Sequence, residues 1–143
     1  MKKFIITLTL VTQSSYVLAR EDWFEMGRTD ESSYSINIPS LSETTLYGNK
    51  VVKSWIKEVI VYDITKDGLS VNDHIMLMYY SNCKENTLGL KSQTMYRKSK
   101  VFGQPINKSY VQMQDVIPGS IGQKILTYSC NGMEIKNSNQ GDN

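Results

Sequence analysis

The chain has 143 residues, with 16 Lys and Arg against 14 Asp and Glu and a formal net charge of +2. This near-neutral balance excludes a general nucleic-acid binder, because that function needs a strongly basic surface. The length suits one domain, which buries enough of its surface to fold without heavy cross-linking.

The N-terminus is typical of a cleavable secretory signal peptide over residues 1–19. Lys2 and Lys3 precede an apolar run from Phe4 to Val11, and the exit at Ala19 suits the signal peptidase. The run is shorter than the ~20 residues that cross a bilayer. A membrane anchor or a buried N-terminal strand is the alternative interpretation. We therefore expect an exported chain without a membrane span, located in the periplasm or at the cell surface.

The following region alternates apolar and polar residues between turn residues such as Pro39, Gly48-Asn49 and Gly68. This pattern predicts five or six antiparallel β-strands. Gly103-Gln104-Pro105 is expected to break the chain. The predicted strands cover approximately residues 23–26, 33–38, 50–64, 74–83, 87–100 and 110–113. In the fifth of them, the two-residue period places on one face Leu88, Leu90, Ser92, Thr94 and Tyr96.

A helix is predicted after Pro118-Gly119. Ser120 and Gln123 have the spacing of a capping box, in which Ser120 is the N-cap. The helix should end near Cys130, before Asn131-Gly132, and residues 131–143 should form a polar, disordered tail. One apolar face of this helix carries Ile121, Ile125, Leu126 and Cys130. The expected fold is therefore α+β, with the domain spanning residues 20–130.

Cys83 and Cys130 are the only cysteines. In an exported chain an even pair is most simply a disulfide, which here would tie the helix to one face of the sheet. Free or catalytic thiols are the alternative. A metal site is not expected, because two cysteines and the lone His74 make no zinc-binding spacing.

The residues that could support catalysis are few. His74 is the only histidine, and its place beside Asp73 in an apolar strand favours a structural role over that of a general base. Two pairs of adjacent carboxylates, Glu21/Asp22 and Asp30/Glu31, are typical of solvated loops. We expect a non-enzymatic protein without catalytic residues and without a cofactor.

Two groups of residues could bind a protein partner. The first is basic, although a solvated edge strand would look the same; it comprises Lys84, Lys91, Arg97, Lys98 and Lys100. The second is aromatic, although core packing also uses tyrosine; it comprises Tyr79, Tyr80, Tyr96 and Tyr110.

Three segments resemble the surface-adhesin protein E family over about residues 22–130. They are Val116–Leu126 followed by Cys130, Asp22-Trp23 with Gly27, and Tyr80–Lys84. The resemblance implies an antiparallel sheet with a C-terminal helix tied on by a disulfide. It also implies a Gram-negative envelope protein that forms a homodimer and binds host matrix or serum proteins such as vitronectin and laminin.

Two functional hypotheses follow. The first is an adhesin-like module that binds a host protein through the basic hairpin. The alternative is a periplasmic immunity or chaperone-type protein that binds a secreted bacterial protein, and the lack of a lipid-modified cysteine favours it. An enzyme ranks third.

Overall fold

A computed structural model describes residues 22–140, which form an antiparallel sheet and one long helix. Residues 1–21, with the predicted signal peptide, and residues 141–143 lie outside the described residues. The strands are β1 (Trp23–Arg28), β2 (Ser32–Asn37), β3 (Ser42–Leu46), β4 (Asn49–Ile60), β5 (His74–Asn82), β6 (Thr87–Arg97), β7 (Lys100–Asn107) and β8 (Gln114–Asp115). A 3-10 turn (Ile38–Ser40) follows β2, and helix α1 spans Ile121–Gln140.

The main path of the sheet runs β1-β2-β4-β5-β6-β7, and each neighbouring pair is antiparallel. Strand β3 pairs with the first half of β4, and β8 pairs with the start of β6. The predicted α+β fold is confirmed, with the helix packed on one face of the sheet. The described sheet has 8 strands, however, instead of five or six.

The sequence pattern did not predict strands β3 and β7. Each lacks the regular alternation of apolar and polar residues for a physical reason. Strand β3 is short and polar, so it shows no apolar alternation. Strand β7 contains Gly103 and Pro105, which suggested a break in the chain. Proline is tolerated there because β7 lies at the edge of the sheet, where a missing amide donor costs little. The strand predicted over 110–113 is wrong, since pairing resumes only at β8.

One side of the sheet, called here the covered face, packs against helix α1. Ile36 of β2 and Ile56 of β4 are 0 % exposed, and Ile125 of the helix is 2 % exposed. Burying each such side chain contributes about 1.5–3 kcal/mol. The buried apolar residues of the covered face on β4 and β5 are Val52, Ile56, Ile60, Ile75 and Leu77.

A disulfide joins Cys83, at the end of β5, to Cys130 in the middle of helix α1, with the two Cα atoms 5.8 Å apart. The predicted pairing is therefore confirmed, and the described residues contain no free cysteine. The bond fixes the helix to the covered face at the end of the sheet where β5 turns into β6.

Helix α1 begins where the capping pattern predicts. The Ser120 hydroxyl accepts a hydrogen bond from the Gln123 amide (3.2 Å), while the Gln123 carboxamide accepts one from the Gly119 amide (2.6 Å). In the usual capping box the Gln side chain accepts from the amide of the N-cap residue, whereas here it accepts from Gly119, one residue earlier. Otherwise the motif satisfies the free amides of the first turn as expected.

The predicted helix end near Cys130 and the predicted disordered tail are wrong for residues 131–140, which continue the helix. Gly132 does not terminate it; a Cβ at this position would lie 2.7 Å from Leu41 Cδ1, so glycine permits close packing. Met133 is buried in the core. Lys136 Nζ donates to the carbonyls of Pro39 and Leu41, which anchors the last turns to the sheet.

Candidate functional site

The side of the sheet opposite helix α1 is called here the open face. On β5 the contrast is direct, since Ile75 and Leu77 are buried against the helix whereas Met76 and Met78 are only partly buried. Paired residues of antiparallel strands point to the same side, so the partners of these methionines on β4 belong to the open face. Its residues include Trp23, Glu25, Asn37, Lys53, Trp55, Lys57, His74, Met76, Met78, Tyr80, Thr94 and Tyr96.

A cleft of about 280 Å³ opens on this face. Three aromatic rings and a thioether form its apolar walls, while an amide and two hydroxyl groups supply polar atoms. Both tryptophans of the chain line it. The lining residues are Trp23, Asn37, Ser40, Trp55, Met76, Thr94 and Tyr96. A mostly apolar concavity with a few polar groups is the usual form of a binding site.

Two lysines of β4 lie on the open face beside the cleft. Lys53 and Lys57 flank Trp55 on β4, each two residues away, so the three side chains share the face. The ammonium of Lys57 lies 4.8 Å from the centre of the Trp23 ring, within cation–π range.

Glu25 is the only carboxylate that the register places on this face of the six main-path strands, all of which are described. Arg28 donates to it from Nε (2.8 Å) and Nη2 (3.3 Å). This hydrogen bonding lowers the pKa of Glu25 and raises that of Arg28. The Glu25–Arg28 pair is internally neutral.

One end of the open face is closed by the segment between β7 and β8. Val111 is 2 % exposed. A Cβ on Gly89 would meet Val111 Cγ1 at 2.5 Å and Met113 Sδ at 2.7 Å, so glycine is needed for this crossing. The Val111 amide donates to the Tyr47 hydroxyl (2.9 Å). The cleft therefore lies on the part of the face that this segment leaves open.

The five predicted binding cations do not form one patch. Lys84 lies in the turn before β6, and Arg97, Lys98 and Lys100 lie at the turn after it. Ten residues of strand separate the two groups, or about 33 Å. Lys91 sits at a bulge of β6, and its ammonium donates to the Lys108 carbonyl.

Arg97, Lys98 and Lys100 are brought together at the turn that joins β6 to β7. Lys98 and Ser99 both have positive φ, 48° and 63°, as a two-residue type I′ hairpin requires. Asp73 accepts hydrogen bonds from the amides of Lys98 and Ser70, each at 2.9 Å, and these bonds lower the pKa of its carboxyl. The Arg97 guanidinium stacks over Phe102, 4.2 Å from the ring centre.

The four predicted binding tyrosines also separate. Tyr80 and Tyr96 lie on the open face. Tyr79 packs against the core, and burial raises the pKa of its hydroxyl. Tyr110 stacks on Tyr47 at 5.2 Å beside the crossing segment.

His74 stacks flat on Tyr96, with ring centres 4.8 Å apart and planes 5° apart. Its neighbour Asp73 accepts hydrogen bonds from the backbone amides of Lys98 and Ser70. Within residues 22–140, no group of three or more His, Cys, Asp and Glu side chains is placed to hold a metal ion.

Sequence interpretation missed Lys53, Trp55 and Lys57 as a unit. The signal is present, because a Lys-x-Trp-x-Lys pattern on a strand puts all three side chains on one face. The strand also carries apolar residues on both faces, as a strand covered on both sides does, so the lysines did not stand out as a candidate site.

In the described part of the chain, no helix combines the length and apolarity that a bilayer crossing requires. Comparisons with family models, with curated proteins and with solved structures give no match. The resemblance to the surface-adhesin protein E family therefore remains a prediction from its motif residues.

Proposed function

We propose that the chain is an exported, non-enzymatic binding domain that engages a protein partner through its open face. The cleft formed by Trp23, Trp55 and Tyr96 carries the proposal. Tryptophan, tyrosine and methionine are enriched in protein–protein interfaces. The covered face already packs against helix α1, so the open face is the side of the sheet on which such residues can contact a partner.

The placement of the charged groups supports binding over catalysis. The carboxylates nearest the open face are engaged, Glu25 by Arg28 and Asp73 by backbone amides. The single histidine is stacked on Tyr96. A rigid sheet that presents aromatic side chains is suited to recognition, because little conformational entropy is lost on binding.

The disulfide supports export, since such bonds persist in oxidising compartments. Two classes of partner fit this setting. A host matrix or serum protein would make the chain adhesin-like, and a secreted bacterial protein would make it an immunity or chaperone-type protein.

Binding of the purified exported chain can be measured by surface plasmon resonance. Vitronectin and laminin test the first class, and secreted proteins from the native cells test the second. We expect one class to bind and Trp55→Ala to abolish the signal, whereas Tyr62→Ala, at an exposed site outside the open face, leaves it unchanged.

A third variant, Lys98→Ala with Lys100→Ala, separates the open face from the basic turn. We expect it to retain binding. Loss of binding in this variant but not in Trp55→Ala, or no binding by the intact chain to either class of partner, would contradict the proposal.

A further inference from the structure

Two tyrosine rings lie stacked in solvent at the end of the sheet where β3 turns into β4. Tyr47 and Tyr110 have ring centres 5.2 Å apart and planes 25° apart. Tyr47 is nevertheless 56 % exposed, and Tyr110 is 67 % exposed. Aromatic side chains stabilise a fold mainly through the area that they bury. The exposed parts of these two rings therefore add little to folding and are accessible to a ligand.

The backbone at Tyr47 is strained, because Tyr47 and Gly48 both have positive φ, 50° and 81°. Since Leu46 pairs with Asn49, the two residues between them form a two-residue hairpin turn. Asn or Gly is preferred at the first position of such a turn, and a bulky residue there is an outlier. The Tyr47 hydroxyl accepts a hydrogen bond from the Val111 amide (2.9 Å), which holds the ring in place. Strain of this kind clusters at binding sites, where it fixes a side chain before the ligand arrives.

A cavity of about 210 Å³ opens beside the stacked rings, which form part of its lining. The buried side chain of Val51 supplies apolar wall to this cavity. Asn49, Glu85 and Gln112 are exposed and bring polar groups to it. Sites that enclose a drug-sized molecule have volumes of roughly 300–1,000 Å³, so this smaller cavity suits a single ring of a ligand.

The carboxylate of Glu85 is positioned by a buried amide. Asn82 is 4 % exposed, and its Nδ2 donates to Glu85 Oε2 (3.0 Å). Asn82 Oδ1 accepts hydrogen bonds from the amides of Lys84 and Glu85, each at 3.1 Å. The other carboxylate oxygen, Oε1, accepts no hydrogen bond from residues 22–140. It is therefore a fixed acceptor for a ligand that can donate.

We propose that this cavity binds one sugar ring of a glycan, with the C–H face of the ring against the two tyrosines and its hydroxyl groups bonded to Glu85, Asn49 and Gln112. The polarised C–H bonds of a sugar are attracted to the negative face of an aromatic ring. Sugar hydroxyl groups donate to a carboxylate, and they both donate to and accept from side-chain amides. The site shares no lining residue with the open-face cleft, so this inference goes beyond the proposed function and does not depend on it.

The carboxylate favours a sugar over the other ligands that aromatic surfaces bind. A proline-rich segment offers carbonyl acceptors but few amide donors. A nucleic acid offers negatively charged phosphates, which a carboxylate repels. Neither ligand supplies the donors that Glu85 Oε1 can accept, whereas the hydroxyl groups around a sugar ring do.

Binding to the full exported chain can be followed by NMR through the amide signals of Tyr47, Tyr110 and Gln112. The probes are two soluble oligosaccharides. One is an N-acetylglucosamine trimer, whose sugar occurs in bacterial cell walls, and the other is N-acetyllactosamine, which occurs on host cell surfaces. We expect saturable shifts with at least one of them and a Kd on the order of 1 mM, as a single ring held by a few contacts supplies. Binding of the first, the second or both supports the inference and identifies the source of the glycan.

Two variants test the residues that carry the proposal. Tyr110→Ala should abolish binding, because it removes half of the stacked surface. Glu85→Gln should weaken binding by roughly 10-fold or more, which is what a hydrogen bond to a charged group supplies. The matched controls are Tyr62→Ala, at a tyrosine that is also 67 % exposed, and Glu134→Gln, at an exposed carboxylate of helix α1, and both should leave the affinity unchanged. Circular dichroism confirms that each variant is folded.

The absence of shifts with both oligosaccharides at up to about 10 mM, well above the expected Kd, would overturn the inference. So would binding that Tyr110→Ala and Glu85→Gln both leave unchanged, because the sugar would then occupy another site. Shifts at the same residues with a blocked hexaproline peptide, but with neither oligosaccharide, would assign the cavity to a proline-rich segment and overturn the inference as well.

Discussion

The covered and open faces belong to the same strands but have opposite chemistry. Along β4, Ile56 is completely buried beneath the helix while its neighbour Trp55 lines a solvent-open cleft. Along β5, Leu77 faces the core and Met76 faces the cleft. Large apolar residues therefore serve two purposes in this sheet. On the covered face they stabilise the fold, and on the open face they are available to a partner.

The largest expected effect comes from removing the covalent link on the covered face. Replacing Cys83 and Cys130 together with Ser should lower the free energy of unfolding by about 4 kcal/mol, because the bond closes a loop of 47 residues. The melting temperature should fall on the order of 10–20 °C. Differential scanning calorimetry, with the reduced wild type as the control, measures the change. An unchanged melting temperature would show that apolar packing alone holds the helix to the sheet.

A matched pair of neighbours tests the two faces directly. Ile56→Ala should lower the free energy of unfolding by about 2–5 kcal/mol, since the side chain is fully buried and leaves a cavity. Trp55→Ala should cost less, although it removes a larger side chain, because Trp55 is only partly buried. Urea denaturation measures both. Equal losses would mean that Trp55 is a core residue and not part of a binding surface.

The smallest expected effect depends on pH and concerns the turn that ends β6. The folded-state pKa of Asp73 is lowered by the amides of Lys98 and Ser70. Its carboxylate therefore adds stability above its unfolded pKa of about 3.9, and this stability is lost as the pH falls through the lower folded value.

The melting temperature of Asp73→Asn should accordingly depend less on pH than that of the wild type between pH 5 and pH 2. The exposed Asp30→Asn provides the control, and its profile should follow the wild type. If Asp73→Asn also follows the wild type, then Asp73 does not stabilise the turn.

Much of the fold could be predicted from local patterns. The strands around Trp55, Leu77 and Tyr34 alternate or are rich in β-branched and aromatic residues, and the capping box at Ser120 marks the start of the helix. The end of the helix could not be predicted in this way, because an Asn-Gly pair such as Asn131-Gly132 usually terminates a helix. Only the contacts of Met133, Lys136 and Leu41 in the folded chain make continuation favourable.

The faces of β6 show most clearly where prediction fails. A strict two-residue period puts Leu88, Leu90, Ser92, Thr94 and Tyr96 on one side, and this prediction is wrong. The pairing shifts at Lys91, so that Leu90 pairs with Tyr79 while Ser92 pairs with Met78. One extra residue in a strand reverses the side to which the following residues point. Leu88 and Leu90 therefore join the core, and Thr94 and Tyr96 reach the cleft.

The fold class, the disulfide partners and the start of the helix follow from the amino-acid sequence, because propensity, capping and cysteine number are properties of nearby residues or of composition. The candidate site, in contrast, is formed only in the folded chain. Its residues come from β1, β2, β4, β5 and β6 and from the turn at Ser40. Strand order, the bulge at Lys91 and the choice of face for the helix bring them together, and these depend on contacts between residues far apart in the chain.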